Sequence, residues 1–335
     1  MRKYDYQVNA WQVRETNFPR ARDAAQKLAF LLRYAVLAPS SHNTQPWKFA
    51  IGRDEIALFI NKDRWLRVAD ADQRELYTSL GCALENLLIA AENFGYRHQV
   101  TYFPEPSNLQ LVAAVEFLDG GEPARFRPPE LFAALTCRHT NHKRYEDRAV
   151  SAADRERLRA AVVEDGISLY LTDDMGVKRR VDRLTNRADA HQFADPSFRE
   201  ELDYWIGEGA FGTPWLLAKL AQLAGGYLDS GGFAAKPDAD VLMNAPVFGL
   251  LYSEENDRRA QVLVGQAFER LYLTATTLGL RLQPLSQLVA VPPTRDQLHG
   301  LLSVEHRFAQ QPFRLGYAEP EPAHTPRRAI EEAMV

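Results

Sequence analysis

Two cysteines in 335 residues, Cys82 and Cys137, leave no material for a disulfide framework, and both read as reduced thiols. Long apolar runs are missing too. No stretch approaches the ~18 residues that span a bilayer, and Met1-Arg2-Lys3-Tyr4-Asp5 runs on into polar residues without a signal-like apolar segment. The expectation is a cytoplasmic protein with no membrane partner. An excess of positive charge is equally absent: 40 Lys and Arg stand against 44 Asp and Glu, for a net charge of -4 and a pI near 6.1. That balance offers no basic field for nucleic acid. What the chain does have is length, enough for two units that share an interface.

Apolar residues at Ala25, Leu28, Ala29, Leu32, Ala35 and Val36 predict a helix over 21–37 with one buried face. Residues 47–51 and 56–60 flank Gly52-Arg53-Asp54 and read as a hairpin. A second helix is expected over 76–94, stopped by Gly95 in the position where a left-handed cap costs glycine least. Its pattern recurs: Ser79-Leu80-Gly81-Cys82-Ala83-Leu84-Glu85-Asn86-Leu87 aligns with Leu263-Val264-Gly265-Gln266-Ala267-Phe268-Glu269-Arg270-Leu271, and Gly95 then matches Gly279. A single repeat at a spacing of 184 residues indicates a duplicated domain. The paired glycines, each costing about 1 kcal/mol relative to alanine in a helix, point to a shared helix-crossing point and not to catalysis.

A strand over 109–118 ends the first half, and Gly120-Gly121-Glu122-Pro123 with Pro128-Pro129 marks a boundary. This gives a first unit over 1–125 and a second over 126–335. The second opens with a short helix at 130–136, a helix from 151 capped by Ser151, and a strand at 168–172. Residues 1–20 read as an arm anchored by Trp11 and Phe18. Residues 195–245 have no counterpart in the first half. Their aromatics, Trp205, Phe211, Trp215, Tyr227 and Phe233, carry too much apolar surface for a linker, so a lid is expected there. A glycine-rich phosphate loop lacks its Gly-Lys-Ser/Thr.

Between the first helix and the hairpin lies Ala38-Pro39-Ser40-Ser41-His42-Asn43-Thr44-Gln45-Pro46-Trp47, which suits neither helix nor strand. Composition alone leaves a structural turn and a ligand-binding loop equally open. The string resembles the Pro-Ser-Ser-x-Asn-x-Gln-Pro-Trp loop of the FMN-dependent nitroreductase superfamily, in particular its tandem-repeat, Acg-like branch. The resemblance implies an α+β fold of two tandem nitroreductase-like units, each a small sheet flanked by helices, with FMN between them. It implies that Pro39, Ser40, Ser41 and Asn43 lie nearest the cofactor, while Gln45, Pro46 and Trp47 hold the loop in shape.

Three further stretches extend the resemblance. Arg138-His139-Thr140-Asn141-His142 is similar to the family's Arg-x-Ser/Thr-x-Arg/Lys motif, which implies that Arg138 and Thr140 meet the flavin phosphate; a guanidinium fork suits that group. His142 then stands where the family has a permanent cation. Gly279 to Gln287 resembles the stretch beside the flavin ring, which implies Pro284, Leu285, Ser286 and Gln287 as ring contacts. Pro312-Phe313-Arg314-Leu315-Gly316-Tyr317 resembles the closing strand, which implies Arg314 as a second phosphate ligand. Taken singly, each arginine is an ordinary ion-pairing residue.

The loop survives only in the first copy and the arginine motif only in the second, so one composite site per chain is expected, inside a monomer whose duplication replaces a dimer. The implied activity is reduction of nitro- or quinone-type small molecules with NAD(P)H as the reductant; the alternative is a protein that holds flavin with little turnover. Two competing chemistries have weaker support. Cys137, His139 and His142 match no common zinc spacing, and adjacency of Ser41 and His42 in sequence does not make a nucleophile and its base.

Overall fold

An N-terminal strand β1 (Tyr6–Gln7) precedes helix α1 (Ala24–Ala35), whose first turn is capped by Asp23 accepting the Gln26 N–H at 2.8 Å. In the computed structural model, which describes residues 6–210, 242–302, 307–321 and 323–335, α1 leads to a hairpin of β2 (Trp47–Ile51) and β3 (Glu55–Ile60). Helix α2 (Arg74–Asn93) follows, then β4 (Tyr96–Tyr102) and β5 (Leu111–Asp119). The second half runs through α3 (Glu130–Ala134), α4 (Ala152–Ala160), β6 (Ile167–Thr172), α5 (Met175–Ala194) and α6 (Pro196–Gly207). It continues with β7 (Val247–Ser253), α7 (Arg258–Thr277), β8 (Arg281–Pro284), α8 (Gln287–Ala290), α9 (Pro292–Leu302) and β9 (Phe308–Gly316). Finally β10 (Arg327–Arg328) pairs with β1.

Two four-stranded antiparallel sheets carry the same topology, β2-β3-β5-β4 in the first half and β6-β7-β9-β8 in the second. The correspondence extends to irregularities. The register shifts once between Leu58 and Phe59 where β3 pairs with β5, and once between Leu251 and Tyr252 where β7 pairs with β9. The fold is therefore α+β and internally duplicated.

The two sheets are joined by α2 and α7, the pair that carries the sequence repeat. Every residue of α2 from Arg74 to Glu92 is buried, as expected of a helix packed on all sides. The helices cross at the repeated glycines. A methyl group on Gly81 would stand 2.1 Å from the Val262 carbonyl oxygen, and one on Gly265 would stand 2.1 Å from that of Thr78. One apolar core runs across this crossing from Leu28 and Trp47 to Leu282 and Phe313.

Several elements were not foreseen. Strand β4 is an edge strand with only Tyr96 fully buried, and α5 buries a thin stripe of Val181, Leu184 and Ala188 among charged neighbours. Helices α8 and α9 were not anticipated either. On α1 the expected buried face holds at Leu28, Leu32, Ala35 and Val36, whereas Ala25 is exposed. Of the stretch 195–245, α6 is described and starts on Asp195 and Pro196 as expected. Phe211, Trp215, Tyr227 and Phe233 lie outside the described residues.

Among the described residues no helix is long and apolar enough to cross a membrane.

Candidate functional site

Residues 38–46 leave α1 in a conformation that side chains normally avoid. His42, Asn43 and Gln45 have φ of 49°, 51° and 52°, three left-handed residues among four. Such strain persists only when the surroundings fix it, and here the C-terminal tail does so. Asn43 Nδ2 donates to the carbonyls of Ala210 (2.6 Å) and Pro326 (2.9 Å), while Arg327 Nη1 donates to Asn43 Oδ1 at 3.0 Å. Gln45 Oε1 accepts the Arg328 N–H, and Gln45 O accepts from Arg328 Nη1, both at 2.8 Å. Within the loop, Ser40 Oγ accepts the Gln45 N–H at 2.9 Å.

The loop forms one wall of a cavity of about 350 Å³, within the range of small-molecule sites. Its floor is the α2 face bearing Thr78, Ser79 and Cys82, with Phe268 of α7. The second half of the chain contributes Pro284, Ser286 and Gln287 at the β8–α8 junction, together with Arg138, Thr140 and His142. The site is therefore composite, one wall from each half of the chain.

One end is cationic. Arg138 and Arg327 are 3% and 2% exposed, and the guanidinium groups lie 5.8 and 4.5 Å from the Trp11 ring centroid. Beneath them sits a single buried carboxylate, Glu269, with Oε1 3.4 Å from Arg138 Nε. Burial pushes the Glu269 carboxyl up to about 7 even though both arginines oppose the shift. Burial and the neighbouring Arg138 push Arg327 well down. Two buried guanidinium groups over one reluctant carboxylate make a pole that an anion would relieve. His324 stacks on Trp11 at 4.1 Å and is held neutral, lowered to about 4 by burial and then by His139, Arg138 and Arg327.

The middle of the cavity is acidic. Glu75, in the first turn of α2, accepts at Oε2 from Ser41 Oγ (2.6 Å) and Ser286 Oγ (3.0 Å). The lining also includes apolar side chains, Phe193 of α5 and Phe198 and Leu202 of α6. Helix α6 is fastened to the first half: Glu201 accepts the N–H groups of Val68 and Ala69, and Arg64 lies 4.9 Å from the Trp205 ring.

Ten of the twelve anticipated residues line this one cavity: Pro39, Ser40, Ser41 and Asn43 from the first half, and Arg138, Thr140, His142, Pro284, Ser286 and Gln287 from the second. Two do not. Leu285 is 1% exposed and turned into a separate apolar cluster with Leu288 and Phe248. Arg314 is occupied behind the wall, its Nε donating to Gln283 Oε1 at 2.7 Å and its Nη2 to the carbonyls of His142 and Lys143, both at 3.1 Å. Asn43 and Thr140 reach the cavity already bonded within the protein; the Thr140 hydroxyl lies 3.0 Å from that of Tyr272.

Residues that sequence reasoning missed include Arg327, Glu75, Trp11, His324 and Phe198. Glu75 is one of several charged residues on α2, beside Arg74, Glu85 and Glu92, and its place in the sequence does not single it out. Arg327 had no signal either, because only the folded tail brings it to the loop.

The competing chemistries find less support. Ser41 Oγ donates to Glu75 Oε2, so its proton is directed to a carboxylate. Among the described residues no three potential ligands gather around a metal position.

The repeat also has a second equivalent position, and it is filled. Glu85, the counterpart of Glu269, accepts from Arg127 Nε (2.8 Å) and Nη2 (2.9 Å) and from Arg270 Nε (2.7 Å). Arg270, the counterpart of Asn86, reaches on to the Ala161 carbonyl (3.0 Å) and Glu164 Oε1 (2.9 Å). Despite burial, the two cations hold the Glu85 carboxyl far below the usual carboxylate range.

No family profile matches the chain. Similar proteins cover nine-tenths or more of it. Three of them are each provisionally named an NAD(P)H nitroreductase: two from Mycobacterium tuberculosis and PigM from Serratia. The first is 27% identical over 95% of this chain and 93% of its own, and the second, acg, is 27% identical over 90% and 93%. PigM is 25% identical over 92% and 93%. Among solved structures, the FMN-dependent nitroreductase NfnB of Mycobacterium smegmatis, in complex with NADPH, is 14% identical with a TM-score of 0.44, covering 61% of this chain and 96% of that one.

Proposed function

The chain belongs to the nitroreductase superfamily, on its Acg-like branch, and from that premise we propose that it is an FMN-binding oxidoreductase that reduces nitro- or quinone-type small molecules with NAD(P)H. The observation that carries this reading is the cationic pole. Arg138 is ion-paired with the buried carboxylate of Glu269, Arg327 lies within their electrostatic reach, and among the described residues Arg327 Nε finds no acceptor, so the pole suits a phosphate with nearly two negative charges. Arg138 and Arg327 would hold that phosphate. The ring would then lie between residues 39–43 and 283–287.

When bound, FMN supplies the hydride chemistry, and the chain supplies position, dryness and charge. The α2 floor and the α6 wall exclude water on two sides. The composite cavity makes one chain sufficient, so a monomer with one FMN is the working state. Purification followed by identification of the bound flavin tests the reading, with NADPH and NADH then tried as bleaching agents. Protein that neither carries nor takes up FMN would overturn it.

A second reading has its own observation. Phe193, Phe198 and Leu202 bring apolar surface into the cavity lining, where it would compete with nicotinamide or acceptor for the ring. On that reading the protein holds flavin and turns over slowly. Dithionite would bleach the flavin while NADPH would not, and fast turnover with NADPH and a nitroaromatic would dismiss it.

A further inference from the structure

Glu75 is a buried acid that the reading above does not use. Its residue exposure is 6%, it lines the cavity, and its two carboxyl oxygens differ. Oε2 accepts two hydroxyl donors, from Ser41 of the loop and Ser286 of the β8–α8 junction, at 2.6 and 3.0 Å. Oε1 is buried and has no hydrogen-bond partner among the described residues. An orphaned carboxyl oxygen in a dry site costs about 1–3 kcal/mol or more unless something meets it.

The charges around Glu75 set its state. Asp70 lies behind it, with Oδ1 accepting the Glu75 N–H at 3.0 Å and Oδ2 the Leu76 N–H at 2.8 Å. Asp72 and Arg74 share its segment, and Arg74 is turned away, donating to Gln310 and paired with Asp72 at 3.5 Å. Elsewhere His42 from the loop, His142 from residues 138–142 and Asp189 from α5 line the same cavity, and burial holds His42 neutral, lowered to about 4. Among the described residues no cation is bonded to the carboxyl. Burial pushes Glu75 upward, against the two serine hydrogen bonds and Arg74, and Asp72 adds to the rise.

We propose that Glu75 carries its proton on Oε1 and donates it as a hydrogen bond to the molecule in the cavity, selecting planar conjugated ligands that present a carbonyl oxygen or an unprotonated ring nitrogen. The placement follows from the bonding: Oε2 already accepts twice, so the proton belongs on Oε1, the oxygen left without a partner among the described residues. FMN is the probe, and the inference to that extent rests on the FMN reading. The serines tune the acid, because both donate to it and favour its ionised form.

The test is FMN affinity by flavin-fluorescence titration from pH 5 to 9, for the wild type, Glu75→Gln and Ser286→Ala. An amide keeps the shape, accepts from both serines and always presents N–H to the cavity. The wild type should lose roughly five- to tenfold in affinity as pH rises through the raised carboxyl range, the scale of one neutral hydrogen bond. Relative to it, Glu75→Gln should remove that fall. Ser286→Ala, which strips one donor from the carboxylate, should move the wild-type midpoint to higher pH. Infrared spectra of the ligand-free protein recorded from pH 5 to 9 should show a protonated-carboxyl carbonyl band that fades as pH rises and is absent in Glu75→Gln, a readout independent of turnover. Identical pH profiles for the wild type and Glu75→Gln, or the absence of that band, overturn the proposal. Failure of the wild type to bind FMN at any pH overturns the FMN reading, and the donor role with it.

Discussion

Gly81 and Gly265 are each other's packing partner: a methyl on either would come within 2.8 Å of the other's Cα and 2.1 Å of a backbone carbonyl on the facing helix. Helix propensity alone predicts that Gly→Ala at either position stabilises by about 1 kcal/mol. The crossing predicts the reverse, because backbone cannot yield as a side-chain tip does. Gly81→Ala and Gly265→Ala should each lower the urea midpoint by the equivalent of ~2 kcal/mol or more, with an unchanged slope. A raised midpoint would mean that the helices do not meet there.

Arginine 327 should matter for the phosphate and little for the ring. Arg327→Ala and Arg138→Ala are expected to weaken FMN binding by roughly 10- to 100-fold, the scale of hydrogen bonds to a charged group. Riboflavin, which lacks the phosphate, controls for the loop braces that Arg327 also supplies. The ratio of FMN to riboflavin affinity should collapse in both variants. Arg314→Ala should leave that ratio unchanged, since its guanidinium is spent on Gln283 and two carbonyls.

The repeated glutamates should titrate in opposite directions. Glu269 is raised to about 7 from 4.5, so its contribution to stability is full below the ordinary carboxylate range and is lost as pH rises toward 7 and beyond. Glu85 is depressed, so its contribution is present above that range and is lost in acid. Chemical denaturation from pH 4 to 8 should show Glu269→Gln flattening the decline on the neutral side. Glu85→Gln should cost ~3–5 kcal/mol at pH 7, because it leaves Arg127 and Arg270 buried with one less counter-charge.

One flavin per chain is expected, in a monomer. Glu85, Arg127, Arg270 and Glu164 occupy the equivalent position in the other half, where Asn86 is replaced by the much larger Arg270. Native mass spectrometry of the loaded protein gives the count and the oligomeric state together. Two flavins per chain, or a dimer that releases flavin on dissociation, would sink the composite-site account.

How legible was this in the sequence? Strong periodicity and paired glycines revealed α1, α2, α7 and the crossing, because burial on a helix face leaves its spacing in the residue order. Strand β4 escaped because an edge strand needs only one apolar side, and α5 because Val181, Leu184 and Ala188 are outnumbered by arginines on its outer faces. In the site, motif residues on the loop and at 138–142 could be read locally. Arg314 misled, since a position near the end of a strand does not tell which wall its guanidinium faces. Glu75 and Arg327 serve the cavity through contacts spanning 34 to 290 residues, and no local spacing records such a meeting.

The bond from Arg328 to Gln45 spans 283 residues, and β10 lies against β1. A ribosome finishes both sheets before it releases the residues that hold His42, Asn43 and Gln45 in their left-handed shape. The loop is thus braced by residues made after both sheets, and flavin loading is expected to follow their synthesis. Nascent chains stalled after residue 316 would contain every strand of both sheets and still lack a formed ligand loop.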